Sequence, residues 1–372
     1  MAIIYLLTTF FMLSSLLATL THNNKDILVP QRDLNAHKLL FITVPAFIIG
    51  LYFVAYRPFT SGGDTSSYLN TFSHLNSIAT ARADGQLYYG NTEILFWPTQ
   101  ALLKTFLSPR GWLIANYLIV VYLTYIAYKK ICKHVQISPL IFTLVFLTYF
   151  AVYSGNALRQ SYALPLSAIA FTYAYERKNL KFAIFTLLAI FYHWSAIILL
   201  TTPAFIRIPN KTKYYIWLPI GALALSTFSY QFAGNLVQAL NFAPVTSKFD
   251  LYFQEGRISH FGQVWETLNF WLSIFIYYTV VITTRGKNNY ECVKKYLLTF
   301  MTFVLFSIFT ADVSERYMVG CIFIIPISIA IIFKEMKIST VYKNIAYILT
   351  FSIMSILVYT RESAMITLGI QP

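Results

Sequence analysis

Charged side chains are scarce in this chain. Only 11% of its 372 residues are charged, whereas 57% are hydrophobic and the mean hydropathy is +0.60. A soluble core of this size does not need so many apolar residues, so the composition excludes an ordinary soluble protein and predicts a polytopic membrane protein. Acidic residues are the rarer charged class, with 14 Asp and Glu against 28 Lys and Arg. Because the basic residues lie mainly in loops, this excess indicates membrane topology rather than nucleic-acid binding.

Patterns of cysteine and metal ligands are also missing. Cys132, Cys292 and Cys321 have neither pairing nor metal-ligand spacing, so we expect no disulfide framework and no zinc site. The six histidines are scattered, and the sequence contains no phosphate-binding loop and no nucleophile elbow. We therefore predict no metal and no other cofactor. The first apolar run, 2–20, lacks a basic n-region and a cleavage site, so we expect a retained span rather than a signal peptide.

Hydropathy predicts an all-α integral membrane protein with about 11–12 transmembrane or half-membrane helices. We expect one transmembrane domain over residues 1–372. The predicted spans lie near residues 2–20, 39–56, 111–128, 138–154, 157–175, 214–233, 265–284, 296–311, 317–333 and 341–359. The remaining apolar segment, 182–206, is either one tilted helix of about 37 Å or two short helices that meet near His193.

The positions of the basic residues favour the broken helix pair. With a break at His193, 19 of the 28 Lys and Arg residues fall on the cytoplasmic side, whereas a single crossing leaves most of them outside. Since cytoplasmic loops are normally the basic ones, we predict the break. This topology gathers the polar motifs on the external face of the membrane.

Two long external loops are predicted, 57–110 and 234–264. In the first loop, Asp64 occupies an N-cap position before apolar residues at helical spacing, which predicts an amphipathic helix along the membrane surface. Glu93 precedes a second apolar run, 94–107, which is too short to cross and is expected to be re-entrant or interfacial.

Arg159 is the first candidate for chemistry, because an ionisable group within an apolar span normally faces a cavity or a polar pathway. Its planar guanidinium suits a phosphate group, although a snorkelling anchor is the alternative. Asn156 lies one turn before it and Gln160 beside it. Arg57, directly after a predicted span, is either an interfacial anchor or a ligand contact.

His193 is the second candidate. It could act as a general base or as a hydrogen-bond donor to a pyrophosphate, or it could only bond a neighbouring helix. Asp64 and Glu93 are alternative bases, yet both lie where helix N-caps are expected. Arg316 either contacts the substrate or forms a local ion pair with Glu315.

These residues fall in motifs that resemble the EpsG family of Wzy-like exopolysaccharide and O-antigen polymerases. The motifs are listed in chain order: Arg57-Pro58, Gly63-Asp64-Thr65 with Tyr68, Glu93 before an apolar run, Asn156-Ala157-Leu158-Arg159-Gln160-Ser161, Tyr192-His193-Trp194-Ser195-Ala196, and Arg316-Tyr317. The Arg-Gln motif followed by the His-x-Ser-Ala motif is the most specific part.

The resemblance implies a membrane glycosyltransferase that joins undecaprenyl-diphosphate-linked oligosaccharide repeat units. It implies cationic donors for the leaving diphosphate and a base for the acceptor hydroxyl. The expected diphosphate-binding residues are Arg159, Arg316, Arg57 and Gln160, the candidate bases are His193, Asp64 and Glu93, and further substrate contacts are Tyr68, Asn156 and Ser195. A chain-length regulator and a flippase of the same pathway are candidate partners, besides the lipid bilayer.

Two alternatives stay open at this point. A ligase that transfers finished glycan to another lipid acceptor uses closely related chemistry, and only the acceptor distinguishes it. A lipid-linked-glycan flippase or transporter would also bury charges, but it should have internal repeats with access from both sides. The sequence shows no such repeat.

Overall fold

The computed structural model of the chain describes residues 47–48, 50–61, 64–90, 93–228, 231, 235, 267–362, 365–366 and 369. Within these residues every regular element is helical, which confirms the predicted all-helical fold. The predicted span 2–20, half of span 39–56 and nearly all of the loop 234–264 lie outside the described residues.

The α-helices are numbered in chain order. They are α1 (Thr65–His74), α2 (Ala81–Tyr89), α3 (Phe96–Lys104), α4 (Pro109–Val135), α5 (Phe150–Asn156), α6 (Leu158–Tyr175), α7 (Asn179–Tyr192), α8 (Thr202–Arg207), α9 (Thr212–Ala224), α10 (Leu268–Thr283), α11 (Glu291–Phe306), α12 (Ala311–Phe323), α13 (Ile325–Glu335) and α14 (Thr340–Tyr359). Between them lie a π-helical segment (Leu51–Ala55) and 3₁₀ segments (Pro139–Leu147, Trp194–Thr201, Ser226–Phe228 and Asn288–Tyr290).

The described residues group into two compact units. The first contains those of Met1–Leu199 and Phe333–Pro372, and the second contains those of Leu200–Ile332. All the sequence-predicted site residues except Arg316 belong to the first unit, so the candidate site is described within that unit alone.

Helix α4 is the longest described helix, and its ends follow from local chemistry. Ser108 caps its start, where the Ser108 hydroxyl accepts a hydrogen bond from the Gly111 N–H at 3.2 Å, and Pro109 occupies the first turn. Gln136 ends it in the left-handed conformation, with φ 53°. The predicted span at 111–128 is confirmed and extends further at both ends.

Two of the predicted apolar spans are bent. By length and composition, one described helix, α4, could cross a membrane, and up to three spans result if each of two bent pairs counts as one. The segment Pro139–Leu147 meets α5 at 73°, and residues Asp312–Phe323 meet α13 at 49°. The spans predicted at 138–154 and 317–333 are therefore bent helix pairs rather than straight helices, because Thr148 is extended and Pro326 follows the second break.

The segment 182–206 is broken where the sequence predicts. Helix α7 ends at Tyr192, His193 is extended with φ −159° and ψ 125°, and a 3₁₀ segment begins at Trp194. A buried apolar cluster fixes this turn against α6; its members are Leu166, Ala170, Ala189, Ile190, Ala196 and Leu199. The break is confirmed, and the orientation of these helices in a membrane stays a prediction.

The loop 57–110 contains three helices, α1, α2 and α3. The predicted amphipathic helix after Asp64 is α1, which buries Tyr68 and Phe72. Helix α2 was not predicted. It approaches α3 closely at Gly85, where a Cβ atom would collide with the Trp97 indole ring, and glycine is thus required at this helix contact.

Candidate active site

Arg159 lies in the first turn of α6, directly after a break between α5 and α6. Ala157 has φ −104° and ψ 61°, so helical geometry is interrupted and α6 begins afresh at Leu158. The first turn of a helix has N–H groups without intrahelical acceptors and the positive end of the helix dipole. A cation is unfavourable at this end, so a buried Arg159 needs an anion nearby.

Glu93 supplies that anion. Arg159 Nη1 donates to Glu93 Oε1 in an ion pair, Nε donates to the Tyr68 hydroxyl at 3.0 Å, and Nη2 donates to the Tyr89 hydroxyl at 3.5 Å. The guanidinium carbon lies 4.8 Å from the centre of the Tyr89 ring. Arg159 is 9% exposed and Glu93 is 2% exposed, so the ion pair is shielded from water. We call these four residues the Arg159 cluster.

The two tyrosines of the Arg159 cluster form a stacked pair. The Tyr68 and Tyr89 ring centroids are 4.6 Å apart with 20° between the planes, and a hydrogen bond joins their hydroxyls. Burial raises the pKa of both hydroxyls, and the negative charge of Asp64 acts in the same direction, against the opposing effect of Arg159. Both hydroxyls therefore stay protonated near neutral pH and orient the guanidinium as neutral groups.

The backbone around Glu93 is anchored to the end of α7. The Leu95 N–H donates to the Phe191 carbonyl at 3.0 Å, and Leu95 is the N-cap of α3. The expectation that Glu93 occupies a helix N-cap was therefore wrong, and the reason is that its carboxylate pairs with Arg159 instead. Its second oxygen, Oε2, is buried and has no hydrogen-bond partner among the described residues. Buried polar atoms normally have a hydrogen-bond partner, so this oxygen is unusual.

Asp64 and Arg57 connect the loop before α1 to the break before α6. Asp64 occupies the predicted N-cap position, but its side chain makes no capping hydrogen bond; its backbone N–H donates to Asn156 Oδ1 at 3.1 Å. Arg57 donates from Nε to the Thr65 hydroxyl at 3.0 Å and from Nη2 to the Gly155 carbonyl. Burial lowers the pKa of Arg57 to about 10, so the side chain stays charged at neutral pH.

Arg110 is a cation beside Arg57 that the sequence analysis did not select. Its Nη1 donates to the carbonyls of Ala55 at 3.0 Å and of Arg57 at 2.8 Å, and its guanidinium lies 4.3 Å from the centre of the Phe59 ring. Its position could have been recognised in the sequence, because Ser108-Pro109 is a helix start and Arg110 follows it directly. An arginine at a helix N-terminus opposes the dipole and indicates an acceptor elsewhere.

His193 makes local contacts that define its tautomer. Its Nδ1 accepts the Ser195 backbone N–H at 3.1 Å and lies 2.7 Å from the Ser195 hydroxyl. Since Nδ1 accepts a hydrogen bond from the backbone, a neutral His193 carries its proton on Nε2. This arrangement favours His193 as a hydrogen-bond donor over His193 as a general base.

Tyr192, the residue before His193, contacts both α3 and α6. The Tyr192 and Thr99 hydroxyls are 3.0 Å apart, and the Tyr192 ring stacks on Tyr162 of α6 with centroids 5.0 Å apart. Gln160 is buried beside Arg159 on α6. Arg316 belongs to α12 of the other unit.

The fold and the buried charges together indicate a class of protein. The chain is an all-helical protein whose apolar helices surround buried, paired charges, which is typical of membrane proteins with a polar or charged ligand. Its sequence matches the EpsG family over residues 39–368, so the chain belongs to this family of Wzy-like polymerases. The resemblance to this family that was predicted from the sequence is confirmed. No curated protein and no solved structure matches the chain.

Proposed function

We propose that this chain is a multi-pass glycosyltransferase that polymerises undecaprenyl-diphosphate-linked oligosaccharide repeat units into a surface polysaccharide, an exopolysaccharide or O-antigen. Its family membership and its apolar helices support the class. The Arg159 cluster is the observation that supports the reaction, because it places a planar cation at a helix N-terminus within an apolar bundle. In this proposal the protein lies in the bacterial inner membrane with about 11–12 transmembrane or half-membrane helices, and the cluster faces the periplasm.

The reaction needs stabilisation of one developing charge and removal of one proton. An acceptor sugar hydroxyl attacks the anomeric carbon of the growing glycan, and the bond from that carbon to the diphosphate oxygen breaks. The electron pair of this bond leaves with the lipid diphosphate, and the hydroxyl proton passes to a base. Fixed cations and helix N–H groups can stabilise the negative charge that develops on the leaving diphosphate.

Arg159 is the main diphosphate-binding residue in this proposal. Its five N–H donors form a rigid fork, and each of its three nitrogens donates to one member of the Arg159 cluster, so the fork is already oriented. The first turn of α6 is the positive end of the helix dipole and adds to the positive field at the same place. Arg57, Gln160 and Arg316 remain proposed secondary contacts for the diphosphate.

The geometry favours a carboxylate as the base. His193 presents an N–H group at Nε2, so we propose that it donates a hydrogen bond to a phosphate or sugar oxygen. Glu93 is the preferred base because it already contacts the proposed diphosphate-binding residue, and Asp64 is the alternative because its charge acts on the same tyrosines. We propose that Asn156 positions Asp64 and that Ser195 positions His193, through the hydrogen bonds described above.

Substitution of Arg159 tests the proposed diphosphate contact. Arg159→Lys should lose polymer almost as completely as Arg159→Ala, because a single ammonium group cannot reproduce the fork that reaches Tyr68, Glu93 and Tyr89. The measurement is the glycan length distribution in cells that carry only the variant, at matched protein level in the membrane.

An exposed arginine on α2 provides the control. Arg82→Lys and Arg82→Ala should leave the glycan lengths unchanged, because Arg82 lies outside the Arg159 cluster. Normal polymer with Arg159→Lys would show that Arg159 is an anchor or a structural cation rather than the group that binds the diphosphate.

A further inference from the structure

We infer that the donor diphosphate takes the place of Glu93 on Arg159 and that the Glu93 carboxylate, once displaced, removes the acceptor proton. This inference rests on the proposed function and adds an order of events to it: the donor binds first, and only then does the base become available.

The starting point is that Glu93 occupies part of the guanidinium fork that a phosphate would use. Arg159 Nη1 donates to Glu93 Oε1, and both side chains are buried. Carboxylates and phosphates present oxygens to arginine in the same planar arrangement, so they compete for this edge of the fork. A diphosphate that reaches Arg159 must therefore share or replace the Glu93 contact.

The two tyrosines allow this replacement without loss of the arginine orientation. Tyr68 accepts from Nε and Tyr89 accepts from Nη2, and neither contact includes Glu93. The stacked tyrosine rings also pack against Trp97 in a tilted arrangement, with its ring centroid 5.4 Å from that of Tyr89 and 6.1 Å from that of Tyr68. Arg159 can thus keep its position while its anionic partner changes.

The displaced carboxylate has a chemical use. A diphosphate on Arg159 repels Glu93, and a displaced Glu93 has both oxygens available, including Oε2, which already has no partner among the described residues. An acceptor hydroxyl can then donate to Glu93. As its oxygen bonds to the anomeric carbon, its proton passes to Glu93, and the lipid diphosphate leaves with the electron pair and stays on Arg159. Without a bound donor, Glu93 remains paired, and no acceptor is activated.

Binding of farnesyl diphosphate to the purified full chain in nanodiscs tests the exchange, since this probe has the diphosphate and a short prenyl tail. If Glu93 competes with the diphosphate, Glu93→Gln should bind the probe about tenfold more tightly or better, while polymerisation is lost. If Glu93 only holds Arg159 in place, the same substitution should weaken binding, and weaker or unchanged binding would overturn the inference.

Two further variants separate this inference from the proposed function. Asp84→Asn removes another buried carboxylate of the same unit, one that accepts hydrogen bonds from Asn76 and Thr80, and it should leave probe binding unchanged. Arg159→Met should weaken probe binding in the wild-type protein, and it should abolish the tighter binding of Glu93→Gln when the two substitutions are combined. If Arg159→Met does not weaken binding, the proposed role of Arg159 fails; if it does and Glu93→Gln does not tighten binding, only the exchange fails.

The wild-type protein provides a second readout that does not depend on the folding of a variant. A carbodiimide reacts with accessible carboxyl groups, and Glu93 is 2% exposed when it is paired. Farnesyl diphosphate should accelerate modification of Glu93, measured by mass spectrometry of its peptide, whereas farnesol should not. Protection of Glu93 by the diphosphate would contradict the exchange.

Discussion

Loss of one member of the Arg159–Glu93 pair should destabilise the first unit far more than loss of both charges. In Arg159→Met, the Glu93 carboxylate is left 2% exposed and without its counter-ion. Removal of one partner from a buried pair costs about 3–5 kcal/mol, because the other charge remains desolvated. The lost hydrogen bonds to Tyr68 and Tyr89 add about 0.5–1.5 kcal/mol each.

The double variant Arg159→Met/Glu93→Gln removes the stranded charge, so it should recover much of this loss. We expect a coupling free energy of roughly 2–3 kcal/mol between the two substitutions, at the upper end of the range for residues in contact. The assay is denaturant unfolding of the purified protein in mixed micelles, followed by the fluorescence of buried tryptophans such as Trp97 and Trp112.

An exposed ion pair of the same unit provides the control. Lys178 and Glu176 are 2.5 Å apart, but the Lys178 side chain is 53% exposed. Lys178→Met should therefore change the free energy of unfolding by less than about 1 kcal/mol. If the Arg159 and Glu93 substitutions are additive within about 0.5 kcal/mol, the two charges are not coupled and the structural basis of the site is refuted.

Two further predictions concern His193 and the membrane topology. His193→Gln keeps an N–H donor near the position of Nε2 and should retain a measurable part of the polymerisation rate, whereas His193→Ala should lose it; equal loss in both variants would favour His193 as the base. In a cysteine-free background, Lys248→Cys should react with an impermeant thiol reagent from outside, whereas Lys211→Cys and Lys287→Cys should not. External labelling at 211 and 287 would restore a single crossing through 182–206 and contradict the predicted topology.

The sequence predicts much of the fold because apolar periodicity and breaks are local properties. The all-helical fold, the helix after Asp64 and the break at His193 all follow from residues close together in the chain. Helix α2 was missed because its sequence is polar and contains Gly85, and its position depends on tertiary contacts with Trp97. The bends near Thr148 and Ile324 were missed because hydropathy averages over a window and does not report backbone direction.

The site was predictable as a set of residues but not as a set of contacts. Arg159 was expected to bind an anion, and Glu93 was one of the candidate bases, but they are 66 residues apart in the sequence, and nothing in their spacing indicates that they pair. Tyr89 was missed for the same reason, since its contact to Arg159 depends on the position of α2. The tautomer of His193, in contrast, is set by Ser195 only two residues away.

The most direct test of the proposed polymerisation uses the purified protein in vesicles. Supplied only with undecaprenyl-diphosphate-linked repeat units, it should produce a ladder of lipid-linked glycans and release one undecaprenyl diphosphate for each new linkage. Diphosphate release without new linkages, or glycan transfer that occurs only when a different lipid acceptor is added, would contradict the proposed polymerase.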